Sequence, residues 1–192
     1  MAQGLKTAPG RESIVPMMAP DAVNVTFGGN LVVDPCTACN YDSVAGGYYV
    51  WGTNNCISPG TTQWIAVPFI SNATGVPKKI TASITLDPAC TTTTNQVTLG
   101  IYTDVCGTGP GVVLASGKAI VPPAPCAVAV ASLRNAPSLT AGTKYWVVAT
   151  TNATQDSLDA IWNASNTSQI GGDVANGGWF QFSGFVPGFM VN

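Results

Sequence analysis

The chain has 192 residues with no histidine, one glutamate, eight aspartates and seven lysines plus arginines, for a net charge of −2. Only 8% of its residues are charged and 46% are hydrophobic, which excludes a disordered chain and leaves no basic footprint for nucleic acid or anionic lipid. General acid–base catalysis usually recruits His or a tuned pair of carboxylates, so this composition points away from an enzyme.

Residues 1–35 read differently from the rest. Prolines at 9, 16, 20 and 35 resist a central strand and favour an extended arm or a first strand. Ile14 to Met18 is too short for a signal-peptide core, and Pro16 interrupts it. Met1 therefore reads either as a start codon placed before a processed mature chain or as a cytosolic start. Val23, Val25 and Phe27 alternate, so this segment either packs on its own domain or lays alternate side chains into a neighbouring copy by strand addition.

Residues 36–192 are expected to form one β-domain. Alternation begins near residue 22 and is clearest in Ile80-Thr81-Ala82-Ser83-Ile84-Thr85-Leu86, apolar on one face and largely hydroxyl on the other. Further strands are predicted at 64–70, 97–101, 112–121, 127–133, 145–151, 178–183 and 186–191. Turns are predicted at Pro59-Gly60, Gly107 to Gly111, Ala141-Gly142, Gly171-Gly172 and Asn176 to Gly178. Helical character is confined to Ser157 to Trp162. Short strands at this spacing predict an all-β, antiparallel β-sandwich of jelly-roll type. The apolar run Cys126 to Ala131 is far short of the ~20 residues of a membrane span.

Six cysteines (Cys36, Cys39, Cys56, Cys90, Cys106, Cys126) are an even number in a β-rich chain. That usage predicts disulfides and an extracellular or cell-surface location. Fifteen pairings exist; Cys106 with Cys126, bracketing a Gly/Pro-rich loop and a strand, is the first choice. Such a loop would contribute about 3 kcal/mol. Cys36-Thr-Ala-Cys39 has the spacing of half a zinc site, but zinc would want a second closely spaced pair, which Cys56 and Cys90 do not supply.

Two ligand readings follow. Tyr49 and Trp51 fall on one face of a strand, and Trp179 lies in a second aromatic cluster. Exposed rings there would stack on sugars, while buried rings would fill the core. Asp156 and Asp159 with Asn152, and Asp34 with Asp42, are local concentrations of oxygen ligands. They fit either structural calcium or ordinary turns. No other cofactor is expected. The sequons at Asn24, Asn72, Asn152, Asn163 and Asn166 follow from the Thr/Ser/Asn-rich composition.

The run QVTLGIYTD (96–104), the Gly/Pro loop 107–111, VVLAS (112–116), LTAGTKYWVVAT (139–150) and AIWN (160–163) stand in an order that resembles choice-of-anchor R type bacterial extracellular domains. The resemblance spans roughly residues 45–192. It implies a secreted or surface-displayed module without catalysis. The ending Phe189-Met190-Val191-Asn192 carries no anchoring helix or basic tail, which speaks against covalent or membrane anchoring. Two functions compete: a structural or adhesive subunit whose partner is itself or a matrix, and a carbohydrate-binding module.

Overall fold

Alternating hydroxyl and branched apolar side chains set the backbone into strands, and the computed structural model describes residues 27–29, 47–91, 93–106, 109–123, 128–151, 156–175, 179 and 181–192. Among them are twelve strands and no helix: β1 (Gly28–Gly29), β2 (Gly47–Trp51), β3 (Trp64–Ile70), β4 (Lys79–Ala82), β5 (Ile84–Leu86), β6 (Gln96–Val105), β7 (Gly109–Ile120), β8 (Ala129–Ser132), β9 (Lys144–Thr150), β10 (Asp159–Ala175), β11 (Gln181–Pro187) and β12 (Phe189–Val191). Every pairing is antiparallel. One sheet runs β1-β12-β4-β8, and the larger runs β11-β10-β3-β9-β6-β7. The first part of β10 pairs with β2 and β5.

Both sheets feed one hydrophobic cluster. Ile80, Ala82, Ala131, Phe189 and Val191 enter it from the smaller sheet, and Ile65, Val67, Phe69, Leu99, Ile101 and Val147 from the larger. Each such branched or aromatic side chain contributes about 1.5–3 kcal/mol on full burial. The sequence Tyr145-Trp146-Val147-Val148-Ala149 is apolar without alternation because both faces of β9 are covered. Tyr145, Val147 and Ala149 join the main cluster, while Trp146 and Val148 pack with Ala66 in a second one. At Gly117 of β7 a Cβ would lie 2.2 Å from the Ser132 carbonyl oxygen. Glycine there lets β7, at the margin of one sheet, approach β8, at the margin of the other.

Three sequence expectations change here, and one open alternative is decided. Ser157 to Trp162 is not helical: β10 starts at Asp159, and its alternate residues Ala160 and Trp162 are core. Gly171-Gly172 is not a turn but lies inside β10, where the register with β11 shifts between Ile170 and Asp173. A glycine pair accommodates such a bulge without reversing the chain. The strand expected at 178–183 is β11, Gln181–Pro187, and Gly188 separates it from β12. Phe27 is buried in its own chain's core, its N–H donating to the Val191 carbonyl at 2.7 Å, so at this residue the segment packs in cis. Val23 and Val25 lie outside the described residues.

Candidate functional site

Two places bring polar chemistry together. The first is a corner where β2 and β5 end and β10 begins. Alternation along β2 puts Tyr48 and Val50 toward the main core and Tyr49 and Trp51 on the opposite face, their rings 5.1 Å apart. Trp51 is buried at 8% exposure, so it does not present a flat ring to solvent. Pairing of β2 with β10 sets Asp159 opposite Trp51. The chain leaving β5 brings in Asp87, whose N–H donates to the Asp159 carbonyl at 3.0 Å.

The Cys56–Cys90 disulfide, with a Cα–Cα distance of 5.9 Å, closes this corner. Asp159 is 1% exposed. Its Oδ2 accepts from the Cys56 N–H at 3.1 Å, while Oδ1 has no hydrogen-bond partner. Buried Trp51 Nε1 is likewise unpartnered. Burial raises the Asp159 pKa, the Cys56 hydrogen bond lowers it, and the Asp87 charge adds to the rise. Burial also raises the Tyr49 pKa, helped by the charges of Asp87 and Asp159, so its hydroxyl keeps its proton at neutral pH.

The loop carrying Cys56 is organised by Asn55. Its Nδ2 donates to the carbonyls of Gly52, Ser58 and Thr61, and its Oδ1 accepts from the N–H groups of Ile57 and Ser58. Gly52 touches the Asp156 segment so closely that a Cβ would sit 2.1 Å from the Asp156 carbonyl oxygen.

The second place is the face of the larger sheet opposite the main core. Pairing of β6 with β9 sets Tyr102 against Trp146, and partly buried Trp179 packs on the same small cluster. Trp146 Nε1 donates to Asp104 Oδ1 at 2.7 Å. Lys144 Nζ lies 3.0 Å from the same carboxylate oxygen and 4.6 Å from the Trp146 ring centroid. Beside them is an open groove of about 470 Å³ lined by Thr103, Asp104, Ser138, Thr143, Lys144 and Tyr145, among others.

Burial raises the Asp104 pKa, but the hydrogen bonds from Lys144 and Trp146 and the Lys144 charge together outweigh it and hold the group below the ordinary carboxylate range. A lowered folded-state pKa stabilises the fold above that range and ceases to do so as the pH falls through the folded value. Asp104→Asn is therefore expected to cost about 1 kcal/mol at neutral pH, and the two proteins should converge toward about pH 2. Urea unfolding across pH reads this, and a pH-independent gap would disprove the linkage.

No protein-family model and no curated protein matches the chain.

The residues expected from the sequence are distributed unevenly. Tyr49, Trp51 and Asp159 meet at the first place, and Trp179 sits at the second. The Asp156 Oδ1 caps its own loop by accepting from the Leu158 N–H at 3.0 Å. Among the described residues, the group of three metal-capable side chains joins Asp159 to Cys56 and Cys90 instead. Cys106 is an exposed free thiol, and its expected partner Cys126 lies outside the described residues. Cys36, Cys39, Asp34, Asp42 and Asn152 lie outside them too. Sequence reading missed Asp87, Asn55 and the Asp104–Lys144–Trp146 set. The one local signal was Asp87-Pro88 directly after a strand, a turn-initiating pair.

Proposed function

We propose that the protein is a non-catalytic, secreted or cell-surface β-sandwich of jelly-roll type that serves as a structural or adhesive subunit, assembling with copies of itself. The observation that carries this reading is a set of branched apolar side chains on two strands at sheet margins. Val112, Val113 and Ile120 on β7, Val130 on β8 and Val128 just before it are exposed, Val112 by 70%. Few charges oppose contact between copies, and strands at a margin offer unpaired main-chain groups. The described disulfide accords with an oxidising location. No helix long and apolar enough to cross a membrane occurs among the described residues.

Val112→Lys with Val130→Lys should convert a concentration-dependent assembly into monomers, as measured by light scattering, with the far-UV spectrum unchanged. Wild-type protein that stays monomeric at every concentration would disprove self-assembly. Deleting residues 1–21 tests the arm separately: unchanged association would place the connector in the strands rather than the N-terminal segment.

A carbohydrate-binding reading is favoured by the groove lined by the Thr103, Ser138 and Thr143 hydroxyls with Asp104 and Lys144. Hydroxyls, a carboxylate and an ammonium are the donors and acceptors a glycan uses, and partly buried Tyr102 and Trp179 on the same sheet face would be its stacking rings. Selective binding of one glycan by a monomer, lost in Trp179→Ala, would support this reading over assembly.

A further inference from the structure

We propose that reduction of the Cys56–Cys90 disulfide creates a zinc site from the two thiolates and the Asp159 carboxylate, with the Asp87 carboxylate placed beside it as a fourth donor. The ligand atoms of Cys56, Cys90 and Asp159 all lie within 4.8 Å of one another. Tetrahedral zinc with Zn–S bonds of about 2.3 Å spaces its ligands about 3.8 Å apart, so side-chain rotation suffices to open the pair around an ion. Asp87 Oδ2 is 3.9 Å from the Cys90 sulfur, close to that spacing.

An independent observation points to a ligand. Asp159 Oδ1 is buried without a partner, a state that carries a desolvation penalty, larger when the group is charged. A cation would satisfy it. The Cys56 N–H bound to Oδ2 would then orient the carboxylate as an outer-shell donor. Thiolates select zinc over calcium or magnesium, and carboxylate oxygens are also zinc ligands, so the two thiolates with Asp159 and Asp87 would supply four donors.

The chemistry balances with a dithiol as reductant. It closes to its own disulfide while two electrons and two protons pass to Cys56 and Cys90, and zinc then displaces both thiol protons into solvent. Cys56 is exposed and Cys90 half-buried, so the sulfurs are open to exchange. The oxidised protein carries the bond and the reduced protein the metal, which preserves the link between the two loops in either compartment.

The test is differential alkylation of the full-length chain, reduced with a dithiol and desalted without oxygen. Zinc should slow labelling of Cys56 and Cys90 by about tenfold or more, with a chelator restoring it. Exposed Cys106 serves as the internal reference. In folded Asp159→Asn the protection should drop to less than about threefold. Equal labelling with and without zinc, or full protection retained in Asp159→Asn, would overturn the site. If that variant fails to fold, X-ray absorption of zinc-loaded wild-type protein decides. Mixed sulfur and oxygen ligation supports the site, and all-sulfur ligation overturns it.

Discussion

Trp162→Ala is expected to destabilise the protein by about 3–5 kcal/mol, the range for deleting a large buried aromatic ring. At about 2–4 °C of midpoint per kcal/mol for a chain of this size, the melting temperature should fall by roughly 10 °C. The ring is fully buried in the main cluster and meets Phe189 edge-on at 6.4 Å. Its Nε1 donates to the Gly188 carbonyl at 2.9 Å. Trp162 thus ties β10 to the interruption between β11 and β12, where pairing changes sheets. Trp162→Phe separates the two contributions. The Gly188 carbonyl still accepts from the Ser83 N–H, so losing the indole donor orphans nothing and should cost only about 1 kcal/mol beyond the smaller ring. Equal losses in the two variants would show that the hydrogen bond, not the buried volume, holds this junction.

Cys56→Ser with Cys90→Ser should cost about 3–4 kcal/mol in a chain-entropy treatment, because the bridge joins residues 34 apart in sequence. The expected signature in urea is a lower midpoint with a somewhat steeper slope, since the unfolded chain expands without the cross-link while the folded surface is nearly the same. Asp159 keeps its bond to the Cys56 N–H in this variant, so the loss is assignable to the cross-link. A change below about 1 kcal/mol would mean that the loops are held by Asn55 and the Asp87–Asp159 backbone bond, with the disulfide as a bystander.

The strand content was legible from residues alone wherever one face of a strand is buried. In 80–86 the side chains of Ile80, Ala82 and Ile84 are fully buried as alternation requires, although the hydroxyl residues Ser83 and Thr85 on the other face are buried as well. The turns at Pro59-Gly60 and Ala141-Gly142 appear where the dipeptides stand. Alternation says nothing of partners, however. Ser83 interrupts that stretch because its N–H goes to Gly188 and its carbonyl accepts from Asn163, a change of neighbour written nowhere in the local pattern. For the same reason Trp51 and Tyr49 could be placed on one face, but not said to be buried or exposed.

The candidate sites were legible only as unassembled parts. Cys56 and Cys90, Asp87 and Asp159, and Asp104 and Trp146 are each separated by dozens of residues and meet because particular strands are adjacent and in register. Phe27 showed its alternation in the sequence, yet only the pairing of β1 with β12 put it in its own core. Side-chain period is a property of the single strand, set by backbone geometry over two residues. Pairing, disulfide choice and the burial of a charge depend on which strands lie side by side, a global balance of packing that no short stretch of the chain encodes.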